Sequence, residues 1–76
     1  MEELTFGELL VGLNFNPSKD QKVEKVKKLC AELADLVHNH YTESNGLFPE
    51  HAIYSATITD ILKAQMMSVK LITLNK

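Results

Sequence analysis

Residues 19–42 read KDQKVEKVKKLCAELADLVHNHYT, and this stretch decides the fold. Apolar side chains recur along it at steps of three and four residues, the spacing that places them on one face of an α-helix. These positions are Val23, Val26, Cys30, Leu33 and Val37, with Leu29 and Leu36 widening the stripe. Neither glycine nor proline interrupts the stretch. The pattern therefore predicts one long amphipathic helix from about Lys19 to about Thr42.

The segment that follows predicts a second long helix. Asn45-Gly46 is a turn signal, and Pro49 suits the first position of a helix because its missing N–H is not needed there. Helical periodicity then continues from about Glu50 to about Leu74. Two long helices of similar length joined by a short loop form an antiparallel hairpin.

The residues before the hairpin predict a short helix. Thr5 and Glu8 have the spacing of a capping box, in which each side chain bonds the other residue's backbone N–H. Apolar side chains then share one face, at Phe6, Leu9, Leu10 and Leu13. Gly12 is a natural stop. The predicted fold is all-α, a single helical-hairpin domain over residues 1–76 with a short N-terminal helix.

Length and composition narrow the class of protein. A chain of 76 residues forms one small domain whose core is marginal without disulfides, metal or oligomerisation. One cysteine excludes an internal disulfide, and no spacing suggests a zinc site or a cofactor. The net charge of −2 argues against a protein that coats DNA or RNA. Without a signal pattern or a long apolar run, we expect a soluble cytoplasmic protein.

The last predicted helix is apolar over more of its surface than a hairpin can cover. Its polar side chains fall within an arc of roughly 140° at 100° per residue. They are Ser55, Thr59, Asp60, Lys63, Lys70 and Thr73. Packing against one helix needs a stripe about 100° wide, so we expect this helix to contact other subunits as well. A membrane-surface helix is the alternative, but the polar arc lacks the basic residues typical of one.

The sequence Phe15-Asn16-Pro17-Ser18 predicts a rigid corner before the long helix. Pro17 fixes its own φ and pushes Asn16 toward extended geometry. Ser18 can act as the N-cap, with Gln21 completing a capping box, beside helix N–H groups that favour anions. An aromatic ring, a helix start and the nearby Lys27 would suit a nucleotide-sized ligand. The residues alone favour a structural interpretation, in which Phe15 is a hydrophobic staple and Ser18 is only a cap.

Two groups of short motifs resemble one family. Phe15-Asn16-Pro17-Ser18, Val23-x-x-Val26-Lys27 and Ala31-x-Leu33-Ala34 are similar to its first half. Ala64-Gln65-Met66-Met67-x-Val69-Lys70 and Thr73 are similar to its second half. The family is the phage anti-CBASS cyclic-nucleotide sponge, whose helical hairpin is shared with Thoeris anti-defence sponges. The resemblance implies a compact homohexamer without catalytic activity in the host bacterial cytoplasm. Its implied ligands are cyclic dinucleotides such as cyclic GMP-AMP and, in some members, cyclic trinucleotides.

The same resemblance implies roles for four residues of a five-residue ligand-binding site. Phe15 matches the aromatic residue that stacks on a nucleobase, Asn16 and Pro17 match residues that shape the pocket, and Lys27 matches the basic residue that faces phosphate. Ser18 completes the motif. Base stacking on an aromatic ring contributes about 1–3 kcal/mol, and a lysine contributes a point charge to phosphate. Met67 stands where many relatives carry tryptophan. Trinucleotide-binding relatives carry a basic residue near the start of the last helix, where this sequence offers only His51.

The remaining polar residues predict no chemistry. His38, His40 and His51 are expected to be exposed near the interhelical loop, since side chains two apart on a helix diverge and cannot share a metal. Cys30 is expected to be a small core residue. No nucleophile with a base, paired carboxylates or phosphate-binding glycine loop is present, so we expect no enzyme. The alternative function is a helical oligomerisation or protein-interaction module without a nucleotide ligand.

Overall fold

A computed structural model describes residues 3–13, 19–44 and 46–74. Within these ranges it contains three α-helices and no strand: α1 (Phe6–Val11), α2 (Gln21–Glu43) and α3 (Glu50–Thr73). Helices α2 and α3 pack against each other as an antiparallel hairpin, and α1 packs mainly against α2. The all-α prediction is confirmed, with a short helix preceding a long hairpin.

Helix α1 begins and ends where the sequence predicts. The Thr5 hydroxyl accepts a hydrogen bond from the Glu8 N–H, and the Glu8 carboxylate accepts one from the Thr5 N–H. These two bonds satisfy N–H groups that a helix start leaves without a partner. Gly12 ends the helix in the left-handed conformation (φ 64°), which glycine adopts without steric cost.

Helix α2 begins later than predicted, and its N-cap is not Ser18. The cap is Asp20, whose carboxylate accepts hydrogen bonds from the N–H groups of Lys22 and Val23 at 2.8 and 3.3 Å. Lys19 has a φ of 53°, which is incompatible with an α-helix, so helical geometry can start only after it. Aspartate is as strong a cap as serine. Ser18 itself lies outside the described residues.

Helix α3 matches its predicted bounds to within one residue. It ends at Thr73, with Leu74 as the C-cap. Pro49 is the N-cap rather than the first helical residue, and no side chain caps this end. The predicted turn before α3 includes Asn45, which lies outside the described residues.

The buried line of α2 differs from the predicted stripe. Its buried residues are Val23, Lys27, Ala31 and Ala34. Leu29, Leu33 and Leu36 are exposed, the last by 69%. The reason is that α2 packs against both α1 and α3. The face of α2 that α1 covers consists of small and polar side chains. Hydrophobic periodicity cannot identify such a face, because it follows only the apolar residues.

Helix α1 also buries an unexpected face. Its buried residues are Gly7 and Val11, whereas Leu9 is 66% exposed. The Gly7 N–H donates to Asp35 Oδ1 at 2.6 Å, and a Cβ at Gly7 would collide with the backbone carbonyl of Ala31. The absence of a side chain therefore permits the close approach of α1 to α2.

The chain buries little apolar surface. The buried hydrophobic residues of the described chain are Val11, Val23, Ala31, Ala34 and Ile61, and none of its large side chains is fully buried. The Cα envelope measures 44 × 30 × 13 Å, so the molecule is a thin slab. Large apolar side chains remain exposed on α3, as the sequence predicts: Ile53, Met66, Met67 and Leu71. In the described ranges, no helix combines the length and the apolarity needed to cross a membrane.

Candidate functional site

Four of the five predicted site residues lie outside the described part of the chain. These are Phe15, Asn16, Pro17 and Ser18, which together are called the Phe15 segment. The described chain stops at Leu13 and resumes at Lys19, so the surroundings of both ends of the segment are known. Their proposed contacts with a ligand stay predictions.

Lys27, the fifth predicted residue, is buried against the end of α1. Its side chain lies on the face of α2 that contacts α1, and the residue is only 5% exposed. The ammonium Nζ donates to the Gly12 carbonyl oxygen at 2.9 Å. A cation at a helix C-terminus is favourable, because the last carbonyl groups carry partial negative charge. Lys27 thus fixes the end of α1 where the Phe15 segment leaves it, and its contact with phosphate stays a prediction.

Burial gives Lys27 a pH-dependent effect on stability. Desolvation lowers its pKa below the ordinary value of 10.5. Between the lowered pKa and 10.5 the unfolded chain binds more protons, so this residue's contribution to stability improves as pH rises through that window. We expect the free energy of unfolding of the parent, relative to Lys27→Met, to increase toward pH 10.5 in urea titrations.

The matched control for that comparison is Lys25→Met, which removes an exposed lysine two residues away. Measuring both variants over the same pH range separates the effect of the buried ammonium from that of removing one positive charge. A Lys27→Met difference that stays flat over the same pH range would contradict the burial of this ammonium.

An open cleft lies at the other end of the Phe15 segment. It has a volume of about 600 Å³ and is lined by Asp20, Gln21, Lys22, Leu71 and Ile72. Small-molecule sites occupy roughly 300–1,000 Å³, so the cleft has the size of one. Its lining combines a cation, an anion, an amide and two apolar side chains. Lys27 is not among the lining residues, because it lies on another face of α2.

The start of α2 is less favourable to anions than the sequence indicates. The predicted site uses helix N-terminal N–H groups to attract phosphate. Two of those groups, on Lys22 and Val23, already donate to the Asp20 carboxylate. A ligand phosphate there would meet a negative charge and two occupied donors. Lys22, in the lining of the cleft, is the better-placed cation for such a ligand.

A ladder of aromatic and imidazole rings connects the three helices. The His38 ring stacks on Phe6 of α1 with centroids 4.0 Å apart, and His38 Nδ1 lies 2.9 Å from the Tyr54 hydroxyl of α3. Tyr54 in turn stacks on Tyr41, again at 4.0 Å. The Tyr41 hydroxyl lies 2.8 Å from His51 Nδ1. The ladder thus joins α1, α2 and α3. Each stacked aromatic pair contributes about 0.5–1.5 kcal/mol to stability beyond the burial of its surface.

The ladder corrects the prediction for His38. His38 is half-buried and paired on both sides, whereas His40 and His51 are exposed as expected. A signal was present in the spacing, because His38 and Tyr41 are three residues apart on α2 and His51 and Tyr54 are three apart on α3. Residues three apart share a helix face, and the two pairs flank the interhelical turn. Cys30 is half-buried, and burial raises the pKa of its thiol.

Tyr54 should be the most sensitive member of the ladder. Tyr54→Phe removes the bond to His38 and keeps the ring, so it should cost about 0.5–1.5 kcal/mol in urea unfolding. Tyr54→Ala also removes the stack on Tyr41 and should cost roughly 2–4 kcal/mol. His51→Ala is the control, since its bond to Tyr41 is exposed and its loss should change stability little. Equal losses for the phenylalanine and alanine variants would contradict a stacking role.

No group of three or more histidine, cysteine, aspartate or glutamate residues in the described ranges could hold a metal ion. The lysines at 19, 22, 25 and 28 are exposed, and Lys28 pairs with Glu24 at 3.2 Å.

The chain matches no protein-family model, no curated protein and no solved structure. The candidate site consists of the Phe15 segment, with Lys27 near one end of it and the cleft near the other.

Proposed function

We propose that the protein is a non-catalytic sponge that binds cyclic dinucleotides such as cyclic GMP-AMP and sequesters them. Cyclic trinucleotides are a second ligand class to be tested. A phage that produced the protein in a bacterial cytoplasm would thereby block CBASS defence, which depends on these signals. The working form is a homo-oligomer, for which the resemblance implies a hexamer.

The observation that carries the proposal is the cleft beside Asp20. Asp20, the first residue of its lining, follows Ser18 by two residues in the sequence. At the other end of the motif, Phe15 is three residues from Gly12, and three residues of chain span at most roughly 11 Å. Lys27, which bonds Gly12, and Lys22, which lines the cleft, thus lie near the two ends of the described chain that flank the motif. An aromatic ring supplies stacking and Lys22 supplies phosphate charge compensation, both of which cyclic dinucleotides need, while Lys27 supports the end of α1.

The exposed apolar side chains favour a second candidate. Leu29, Leu33 and Leu36 on α2 and Met67 and Leu71 on α3 are exposed in one chain. Contiguous apolar patches on a soluble protein typically mark contacts with other proteins. A helical interaction module without a nucleotide ligand would use this surface, with Phe15 as a structural staple. Both candidate functions are compatible with an oligomer, so the oligomeric state does not distinguish them. Ligand titration does.

Calorimetric titration with a panel of cyclic dinucleotides and trinucleotides tests the proposal. The parent should bind at least one cyclic dinucleotide, and Phe15→Ala should weaken that binding at least tenfold, since losing one stacked base costs about 1–3 kcal/mol. The nucleotide should be recovered intact after denaturation, because no predicted site residue activates water. Absence of heat with every member of the panel would leave the interaction module as the better description.

Variants at three lysines separate ligand contacts from structural ones. Lys27→Met retains the buried stem while removing the charge, and Lys22→Met does the same at the cleft. Lys25→Met removes an exposed charge as the control. Replacing a lysine that contacts phosphate should lower the affinity for the nucleotide and flatten its salt dependence, while the variant remains folded. If all three variants bind like the parent, phosphate is not held by this part of α2.

A further inference from the structure

Helix α2 carries a stripe of four residues with a spacing of seven. The stripe consists of Lys22, Leu29, Leu36 and Glu43, all exposed. Steps of seven drift by only about 20° around a helix, so these side chains form one nearly straight line. Leu33 lies beside the middle of the line and is also exposed. The stripe has leucines at its centre, a lysine at one end and a glutamate at the other, and the exposed Glu32 lies beside its centre on the side opposite Leu33.

The stripe faces away from α1. Ala31 and Asp35 contact Gly7, which defines the α1 side of α2. At 100° per residue, the exposed leucines lie roughly 150° from that side. Lys22 lines the cleft together with Leu71 of α3, so Leu71 shares the side of the stripe. The hairpin therefore has an apolar face on which no described helix packs.

We propose that a second copy of this chain covers this face, with its α2 antiparallel to the first α2 across a two-fold axis near Leu33. In this register Leu29 of each copy lies opposite Leu36 of the other. Lys22 of each copy lies opposite Glu43 of the other. The contact specifies one interface of the proposed homo-oligomer and is tested without nucleotide, because Lys22 and Leu71 also line the cleft.

Charge complementarity selects this arrangement over two alternatives. A parallel pairing of the two α2 helices would set Lys22 against Lys22 and Glu43 against Glu43. Pairing α2 with α3 of the other copy, in the register used within the hairpin, would place Lys22 on Leu71 and Leu33 near Asp60. Only the antiparallel α2 pairing joins opposite charges and leaves leucine against leucine. Neither Lys22 nor Glu43 forms an ion pair within the described part of the chain.

The same axis gives a compatible contact for α3. Because α3 runs antiparallel beside α2, its middle also lies near the axis. Asp60 and Lys63, both exposed and one turn apart, then come opposite each other in the two copies. Ile53 approaches the region of Met67 and Leu71 of the other copy, which covers the exposed apolar residues of α3.

Disulfide trapping tests the register in a Cys30→Ser background, which leaves no native thiol. Leu33→Cys should form a covalent dimer on mild oxidation, since the two copies of this position meet at the axis. Leu29→Cys alone should not, because its two copies are separated by roughly 10 Å along the helix, beyond the reach of a disulfide. Mixing Leu29→Cys with Leu36→Cys chains should restore cross-linking. A covalent dimer of Leu29→Cys alone would indicate parallel helices and overturn the proposal.

Charge exchange tests the same contact without a cysteine. Lys22→Glu and Glu43→Lys should each weaken association roughly fivefold to tenfold, because each creates two repulsive pairs by symmetry. The double variant should recover the association of the parent, as measured by sedimentation velocity at matched ionic strength. A parent that sediments as a folded monomer at high micromolar concentration, or a double variant as weak as the singles, would refute the proposed pairing.

Discussion

Gly7→Ala should destabilise the fold, although alanine ordinarily stabilises a helix. The usual gain is about 1 kcal/mol, because glycine loses more backbone entropy on folding. Here the added Cβ would meet the carbonyl oxygen, carbonyl carbon and Cα of Ala31, all backbone atoms of α2. A backbone cannot yield as a flexible side chain can, so α1 must move away. That movement would also lengthen the bond from the Gly7 N–H to Asp35.

We expect Gly7→Ala to cost roughly 2–4 kcal/mol, measured by urea unfolding. The loss should be accompanied by weaker packing of the Phe6 ring on His38, visible in the ring-proton chemical shifts of both. Leu9→Ala is the control on the same helix, since Leu9 is mostly exposed and its truncation should change stability by less than about 1 kcal/mol. A Gly7→Ala protein more stable than the parent would show that α1 does not approach α2 closely.

Ile61→Asp should unfold the chain. Ile61 is the buried apolar residue of α3, and an ionised carboxylate in its place would lose its hydration without gaining a partner. Substitutions of this kind cost several kcal/mol, whereas a small domain has a total stability of about 5–15 kcal/mol. Because the core contains so few buried side chains, we expect the loss of cooperative thermal unfolding and of most helical circular dichroism.

The comparison variants for Ile61 separate folding from association. Ile61→Val should cost only about 0.5–1.5 kcal/mol, as expected for one lost methylene group in a core. Met67→Asp adds the same carboxylate to an exposed position of α3 and should leave the helical content intact while weakening association. If Ile61→Asp were as well folded as Met67→Asp, α3 would have to contact α2 through a different face. Val69 is half-buried, so a charge there should give an intermediate result.

The sequence predicts the helices well because their signals are local. The Thr5–Glu8 capping box, the stop at Gly12 and the bounds of α3 all depend on residues within a turn of each other, and all three are confirmed. The start of α2 was misplaced because two capping residues, Ser18 and Asp20, compete there. The left-handed Lys19 decides between them, and no sequence pattern indicates that conformation for a lysine.

The packing of α1 could not be predicted, since it depends on residues that hydrophobic patterns ignore. Gly7, Asp35 and His38 contact across helices through a missing side chain, a hydrogen bond and a stacked ring. Lys27 was selected from the sequence as a phosphate contact, and the structure places its ammonium on Gly12. A lysine's stem is apolar enough to be buried when its end finds a carbonyl oxygen, so charge alone does not predict exposure.

The thinness of the molecule has a consequence for how its stability is measured. A slab 13 Å across exposes both of its faces to water when the chain is alone. In the proposed pair one face is covered, so part of the stability of each chain comes from its partner. By mass action, each tenfold dilution then removes about 1.4 kcal/mol from the free energy of unfolding of a dimer. We therefore expect the thermal midpoint of the protein to rise with its concentration.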